Sequence, residues 1–109
     1  MAHLTVQTTN LDGLEPSYQA ADAGGDSFAN NGRTFLHVKN GDGAPITVTV
    51  DSQQACNQGF DHDIEVSVPA GEERMIGPFN QARFNDANGL VQVTYSAVTS
   101  VTVAAINPA

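Results

Sequence analysis

At 109 residues the chain has room for one domain with a single modest core. Its net charge is −8, and only Arg33, Lys39, Arg74 and Arg83 are positive. That lacks the clustered Lys and Arg that phosphate contacts need, and no run approaches the ~20 apolar residues of a membrane-spanning helix. Neither a nucleic-acid nor a membrane partner is expected. Charged residues make up only 15%, with 10 Gly and no Trp, which favours strands and turns over solvated helices.

The start, Met1-Ala2-His3-Leu4-Thr5, lacks the basic and apolar run of a secretory signal, so a cytosolic origin is the simplest expectation. Cys56 is the lone cysteine and has no partner for an internal disulfide.

Alternation of apolar and polar residues, the mark of half-buried strands, begins at Leu4, Val6 and Thr8. Residues 10–30 resist the pattern: Gly13, Pro16, Gly24 and Gly25 surround Ser17-Tyr18-Gln19-Ala20-Ala21, which reads equally as a strand or a helical turn. After Asn31-Gly32, the run Thr34-Phe35-Leu36-His37-Val38-Lys39 puts Leu36 and Val38 on one face and Phe35, His37 and Lys39 on the other. The turn-rich Asn40-Gly41-Asp42-Gly43-Ala44-Pro45 leads to the clearest alternation, Ile46, Val48 and Val50 against Thr47 and Thr49.

Residues 51–63 are polar and read as a long surface loop, a type usually functional or mobile. Ile64, Val66 and Val68 then alternate with Glu65 and Ser67. Pro69-Ala70-Gly71-Glu72 predicts a tight turn, because Pro presets φ and Gly accepts positive φ. Asn85-Asp86-Ala87-Asn88-Gly89 precedes a strand with Val91, Val93 and Tyr95 on one face, and Val101, Val103 and Ala105 close the series. Many short strands between Gly and Asn turns predict an all-β fold. The expected architecture is a single-domain antiparallel β-sandwich, jelly-roll-like or Ig-like, at residues 25–109, preceded by an N-terminal arm or edge segment at 1–24.

Catalytic and metal chemistry find little purchase. Asp61-His62-Asp63 with Cys56 and Asp51 supplies only two of the N/S ligands zinc wants, and lacks the terminal Glu of a calcium loop. A solvated loop explains it better. No Gly-x-Ser-x-Gly elbow marks a nucleophile, and pairing Cys56 with His37 or His62 needs a contact the sequence does not specify. Asp12, Glu15, Asp22 and Asp26 read as solvating a Gly-rich segment. The expectation is a protein with no enzymatic activity and no cofactor or metal.

For sugar stacking the candidates are Tyr18, Phe60, Phe79, Phe84 and Tyr95. Phe35 and Phe79 flank strand patterns and are expected in the core. Phe60 and Phe84 sit among polar residues and are expected to be exposed, where they suit a protein interface as well as a sugar. The uncharged Ile46 and Val101 strands would be prone to edge pairing unless covered. Val101-Thr102-Val103-Ala104-Ala105-Ile106 is apolar on both faces, so it is either central or covered by a partner. Residues 1–9 suit an arm that adds a strand to a neighbouring sheet.

Taken in order, Gly32-Arg33-Thr34-Phe35-Leu36-His37-Val38-Lys39-Asn40, Ile46-Thr47-Val48-Thr49-Val50, Val68-Pro69-Ala70-Gly71-Glu72, Ile76-Gly77-Pro78-Phe79, Val91-Gln92-Val93-Thr94-Tyr95-Ser96 and Val101-Thr102-Val103-Ala104-Ala105-Ile106 carry a resemblance. The series resembles the small head decoration (cement) proteins of tailed bacteriophages, over roughly residues 25–106. The resemblance implies a structural virion protein, made in the host cytoplasm and bound to the outer surface of the capsid, where it stabilises the expanded head. Its partners would be the major capsid protein and further copies of itself, as a trimer before a dimer. The residues expected to meet capsid or neighbouring subunit are Leu4, Thr5 and Val6 by strand addition, Arg33, Arg74 and Arg83 by charge, and Phe60 and Phe84 by apolar contact. A head–tail joining or tail-tube protein, and a carbohydrate-binding module displayed on the virion, are the competing expectations.

Overall fold

A computed structural model describes residues 2–52 and 63–108. Among these residues, ten strands and one helical turn run in the order β1 (Ala2–Leu4), β2 (Gln7–Thr8), β3 (Gln19–Ala20), β4 (Asp26–Ala29), β5 (Phe35–Asn40), β6 (Ile46–Val50), β7 (Ile64–Val68), β8 (Glu73–Ile76), α1 (Gln81–Phe84), β9 (Leu90–Tyr95) and β10 (Val101–Asn107). One sheet has the order β1-β4-β9-β6-β7. The other has β2-β10-β5-β8, with β3 also pairing β10.

The pairings form a nested set. β3 pairs β10, β4 pairs β9, β5 pairs β8 and β6 pairs β7, all antiparallel. The strands β3 to β10 are therefore one long antiparallel ribbon folded at the β6–β7 connection. Successive ribbon pairs fall in opposite sheets, and β10–β5 and β9–β6 contacts stitch the wound ribbon together. That is jelly-roll topology, so the sandwich is jelly-roll rather than Ig-like.

Two pairings depart from the antiparallel expectation: β1 lies parallel to β4, and β2 parallel to β10. Residues 2–8 thus run from the edge of one sheet to the edge of the other. Leu4 is buried in the shared core and Val6 packs against it. The expected alternation Leu4, Val6, Thr8 is split between two strands, because the segment changes sheets at Thr5 and Val6.

The core is built by the alternations. Val48, Val50, Val91 and Val93 from one sheet face Leu36, Val38, Val103 and Ala105 from the other, and all are fully buried. Each of the Val and Leu side chains contributes about 1.5–3 kcal/mol of transfer free energy. Both strands suspected of edge exposure are interior: β6 lies between β9 and β7, and β10 between β5 and the β2/β3 edge. β10 is apolar on both faces, and Ala104 and Ile106 on its outer face are also buried, outside the shared core cluster.

Pro69 to Glu72 forms the expected turn, closed by Glu72 N–H donating to the Pro69 carbonyl at 3.1 Å, with Gly71 at φ 73°. It does not close a hairpin. β7 and β8 belong to different sheets, so the turn is an arch from one to the other, as is the 41–45 connection. Asn40 holds these arches together: buried to 2% exposure, it donates through Nδ2 to the carbonyls of Ala44 (2.9 Å) and Val68 (3.0 Å) and accepts from Asp42 N–H (3.0 Å).

A second buried asparagine organises the opposite end. Asn30 Nδ2 donates to the Phe79 carbonyl (3.0 Å) and to Asn85 Oδ1 (2.8 Å), while its Oδ1 accepts from Gly32 N–H (3.0 Å). This fixes α1, a single turn capped by Asn80, whose side chain accepts from Ala82 N–H at 2.8 Å.

Phe84 corrects an expectation. It is only 4% exposed and meets Phe79 edge-on with centroids 5.5 Å apart. The polar residues around it occupy the solvent side of one helical turn, leaving its ring directed inward. Phe60, Cys56, Asp61 and His62 lie outside the described residues.

Candidate functional site

The topology sorts the candidate residues between the ends of the sandwich. The 30–34 connection and α1 lie at the Asn30 end, bringing Arg33 and Arg83 to the same end. Arg33 is exposed and has no ionic partner among the described residues. Arg83 is half-buried, with its guanidinium 4.8 Å from the Phe84 ring centroid. Arg74, on β8 near the other end, is not grouped with them. It donates to Glu72 Oε1 (3.2 Å) and to the Glu73 carbonyl (2.8 Å), so its charge is met locally.

Of the arm residues, Thr5 is exposed and Val6 half-buried. Leu4, expected to add to a neighbouring sheet, lies 1% exposed inside its own. Using it elsewhere would require β1 to leave β4. Strand edges remain at β7 and β8, each ending its sheet among the described residues.

A polar relay that residue spacing does not reveal lies on the outer face of the β10-β5-β8 sheet. The Tyr18 hydroxyl and His37 Nδ1 are 2.7 Å apart, and His37 Nε2 is 3.0 Å from Glu73 Oε1. A neutral imidazole protonated on Nε2 satisfies both bonds, accepting from Tyr18 and donating to Glu73. His37 is buried to 4% exposure between its strand neighbours Met75 and Ala104. Lys39 places its Nζ 4.0 Å from the Tyr18 ring centroid. Hydroxyl, imidazole and carboxylate stand in the order of an activated nucleophile. The two bonds tie the segment before β3 onto β5 and β8.

At the Asn40 end a half-buried tyrosine meets a buried carboxylate. Asp26 is fully buried and its Oδ2 accepts from the Tyr95 hydroxyl at 2.7 Å, while Oδ1 has no partner among the described residues. Burial, then the hydrogen bond to Asp26, then the charges of Asp26 and Asp22, raise the Tyr95 phenol far above the ordinary tyrosine range. This explains Asp26 better than solvation of a Gly-rich segment does. No cluster of three or more His, Cys, Asp or Glu able to hold a metal occurs among the described residues.

Two surface depressions accompany these features. One of about 210 Å³ at the Asn30 end is lined by Val6, Ala29, Asn31, Thr34 and Asn107, among others. The other, about 270 Å³, runs beside the arm and is lined by Thr5, Gln7, Ser17, Tyr18 and Gln19. Comparison of the chain with protein-family models, with curated proteins and with solved structures returned no match.

Proposed function

We propose that this protein is a non-enzymatic decoration (cement) protein that binds the outer surface of a tailed-phage capsid and stabilises the expanded head. The observation that carries this reading is the ordered series of strand and turn motifs over residues 25–106. The fold turns that series into a compact sandwich with β7 and β8 ending their sheets among the described residues and with Arg33 and Arg83 at one end. A charge-poor sandwich with a net charge of −8 suits a protein seated outside a DNA-filled shell, because it is not drawn to the nucleic acid within.

Mechanistically, the protein binds an assembled, expanded shell and not its dissociated subunits, so it stabilises the shell by mass action. Repetition over equivalent sites, with self-association into trimers, makes a modest contact act with avidity. Arg33 is the cation best placed for an acidic capsid surface, since Arg74 is already paired with Glu72.

The test is co-sedimentation of the purified chain with expanded, DNA-filled heads that lack it, alongside unexpanded procapsids. Saturable binding to expanded heads alone, with a raised temperature of head disruption, is expected, and Arg33→Glu should weaken it. Binding to neither particle overturns the reading. Saturation at a few copies per head would instead select the head–tail joining alternative.

A further inference from the structure

Of the aromatic residues weighed as sugar platforms, the described structure removes three. Phe79 and Phe84 are core residues, and Tyr95 is turned inward onto Asp26. Tyr18 remains, half-buried, as a lining residue of the groove of about 270 Å³ between the arm and the segment before β3. The groove shares Thr5 with the arm residues expected to meet the capsid, while its aromatic wall, Tyr18, is not among them.

We propose that this groove is a binding site for one or two units of a neutral saccharide, with the Tyr18 ring as the stacking platform. Lys39 covers one face of the ring and His37 meets it edge-on, at a centroid distance of 5.3 Å and an interplanar angle of 74°. The part of the ring that lines the groove is offered to the apolar C–H face of a pyranose, which packs against the π cloud.

The ring is held for this purpose. Its hydroxyl is bonded to His37 Nδ1, which removes the freedom that stacking would otherwise have to quench. The groove wall is equally rigid: Gln7 Nε2 donates to the Ser17 carbonyl at 2.7 Å while its Oε1 accepts from Ser17 N–H at 2.8 Å. This side-chain pairing clamps the arm to the Tyr18 segment without using the groove's other polar groups. The hydroxyls of Thr5 and Ser17 and the amide of Gln19 bond to no other described residue and are available to sugar hydroxyls.

Charge selects the ligand class. None of the five lining residues is Asp, Glu, Lys, Arg or His, and although Lys39 stands on the Tyr18 ring, the chain's net charge of −8 opposes approach of an anionic polymer. The volume lies just below the roughly 300–1,000 Å³ of sites for drug-sized ligands, which fits a short saccharide rather than a long chain.

The test is affinity electrophoresis of the full chain through gels containing neutral glucan, mannan, galactan or xylan. Retardation in at least one gel is expected. Tyr18→Phe, which keeps the ring but loses the bond to His37 that holds it, should bind more weakly than wild type but more tightly than Tyr18→Ala, which should lose roughly tenfold or more. A titration of the wild-type chain with an oligosaccharide of the retarding polymer, followed by amide NMR shifts, should perturb Thr5, Gln7, Ser17 and Gln19. That measurement decides the matter even if Tyr18→Ala fails to fold. No retardation in any gel, or shifts confined to other residues, overturns the proposal.

Discussion

The Tyr95 hydroxyl donates to Asp26 Oδ2 across 2.7 Å, joining the end of β9 to the start of β4. The carboxylate has little other support: Asp22 N–H lies 3.4 Å from Oδ2, and Oδ1 is unpartnered among the described residues. Tyr95→Phe should therefore destabilise the fold by about 1–3 kcal/mol at neutral pH, the cost of stranding a buried acceptor. The pH dependence follows from the raised phenol pKa. Because the folded value exceeds the unfolded one near ~10, the stabilisation is fully present below that pH and is lost as pH rises above it. Urea unfolding between pH 8 and 11 should show a steeper loss for wild type than for Tyr95→Phe. Equal slopes would mean the phenol ionises as readily folded as unfolded.

Gly77 is where the backbone tolerates no side chain. Its φ is 126°, and an added Cβ would stand 2.9 Å from Phe35 Cβ and 3.0 Å from Phe35 Cα. The neighbour is backbone, so it has little room to give. Gly77→Ala combines a positive-φ penalty of about 1–2 kcal/mol with overpacking of about 1–3 kcal/mol. Gly43→Ala is the control: its Cβ would meet nothing within 4 Å, and it should shift stability by less than about 1 kcal/mol in either direction. Thermal melts by circular dichroism distinguish the two, and comparable midpoints would contradict the packing at Phe35.

Phe84 is a structural residue and not a surface anchor. With Phe79 and Phe28 it forms a run of edge-on and tilted rings, at centroid distances of 5.5 and 5.7 Å, at the Asn30 end of the core. Phe84→Ala should cost about 3–5 kcal/mol. Leu11→Ser, at a fully exposed apolar residue, should change stability by less than about 0.5 kcal/mol. Chemical denaturation of both variants is the check, and a near-neutral Phe84→Ala would put that ring back on the surface.

Alternation made β5, β6, β7, β9 and β10 legible, because each buries one face of hydrophobic residues. β4 was not legible. Its Asp26 and Ser27 are polar yet buried, and the carboxylate is accommodated by Tyr95, a partner distant in sequence. Helix α1 was hidden for a related reason: a four-residue turn is too short for a 3.6-residue period to emerge, and Asn30 fixes it from across the chain. Sheet membership of the turns was equally invisible, since Pro69 to Glu72 has the same local chemistry whether it closes a hairpin or an arch. For the candidate site, Tyr18 stood among the aromatic options from composition alone. Its selection required the burial of Phe79 and Phe84 and the bond of Tyr95 to Asp26, and the His37 bridge to Glu73 required the register of β5 against β8.

Asp86 offers the clearest test of electrostatics at the Asn30 end. Its Oδ1 accepts from Asn88 N–H (2.8 Å) and Leu90 N–H (3.0 Å), and its Oδ2 from Gln92 Nε2 (2.7 Å). The Leu90 backbone bond, then Gln92, then the Asn88 backbone bond hold the carboxyl below the ordinary aspartate range, opposed by desolvation. A folded pKa below the unfolded one means the stabilisation is present above the unfolded value and is lost as pH falls through the folded value. Asp86→Asn should therefore be less stable than wild type at pH 7. The gap should close as pH is lowered below the ordinary aspartate range, once the wild-type carboxyl is also neutral. Paired urea titrations from pH 7 down to the acid limit of folding measure that gap. A gap that stays constant with pH would show that the turn is held by geometry common to both side chains and not by the charge on Asp86.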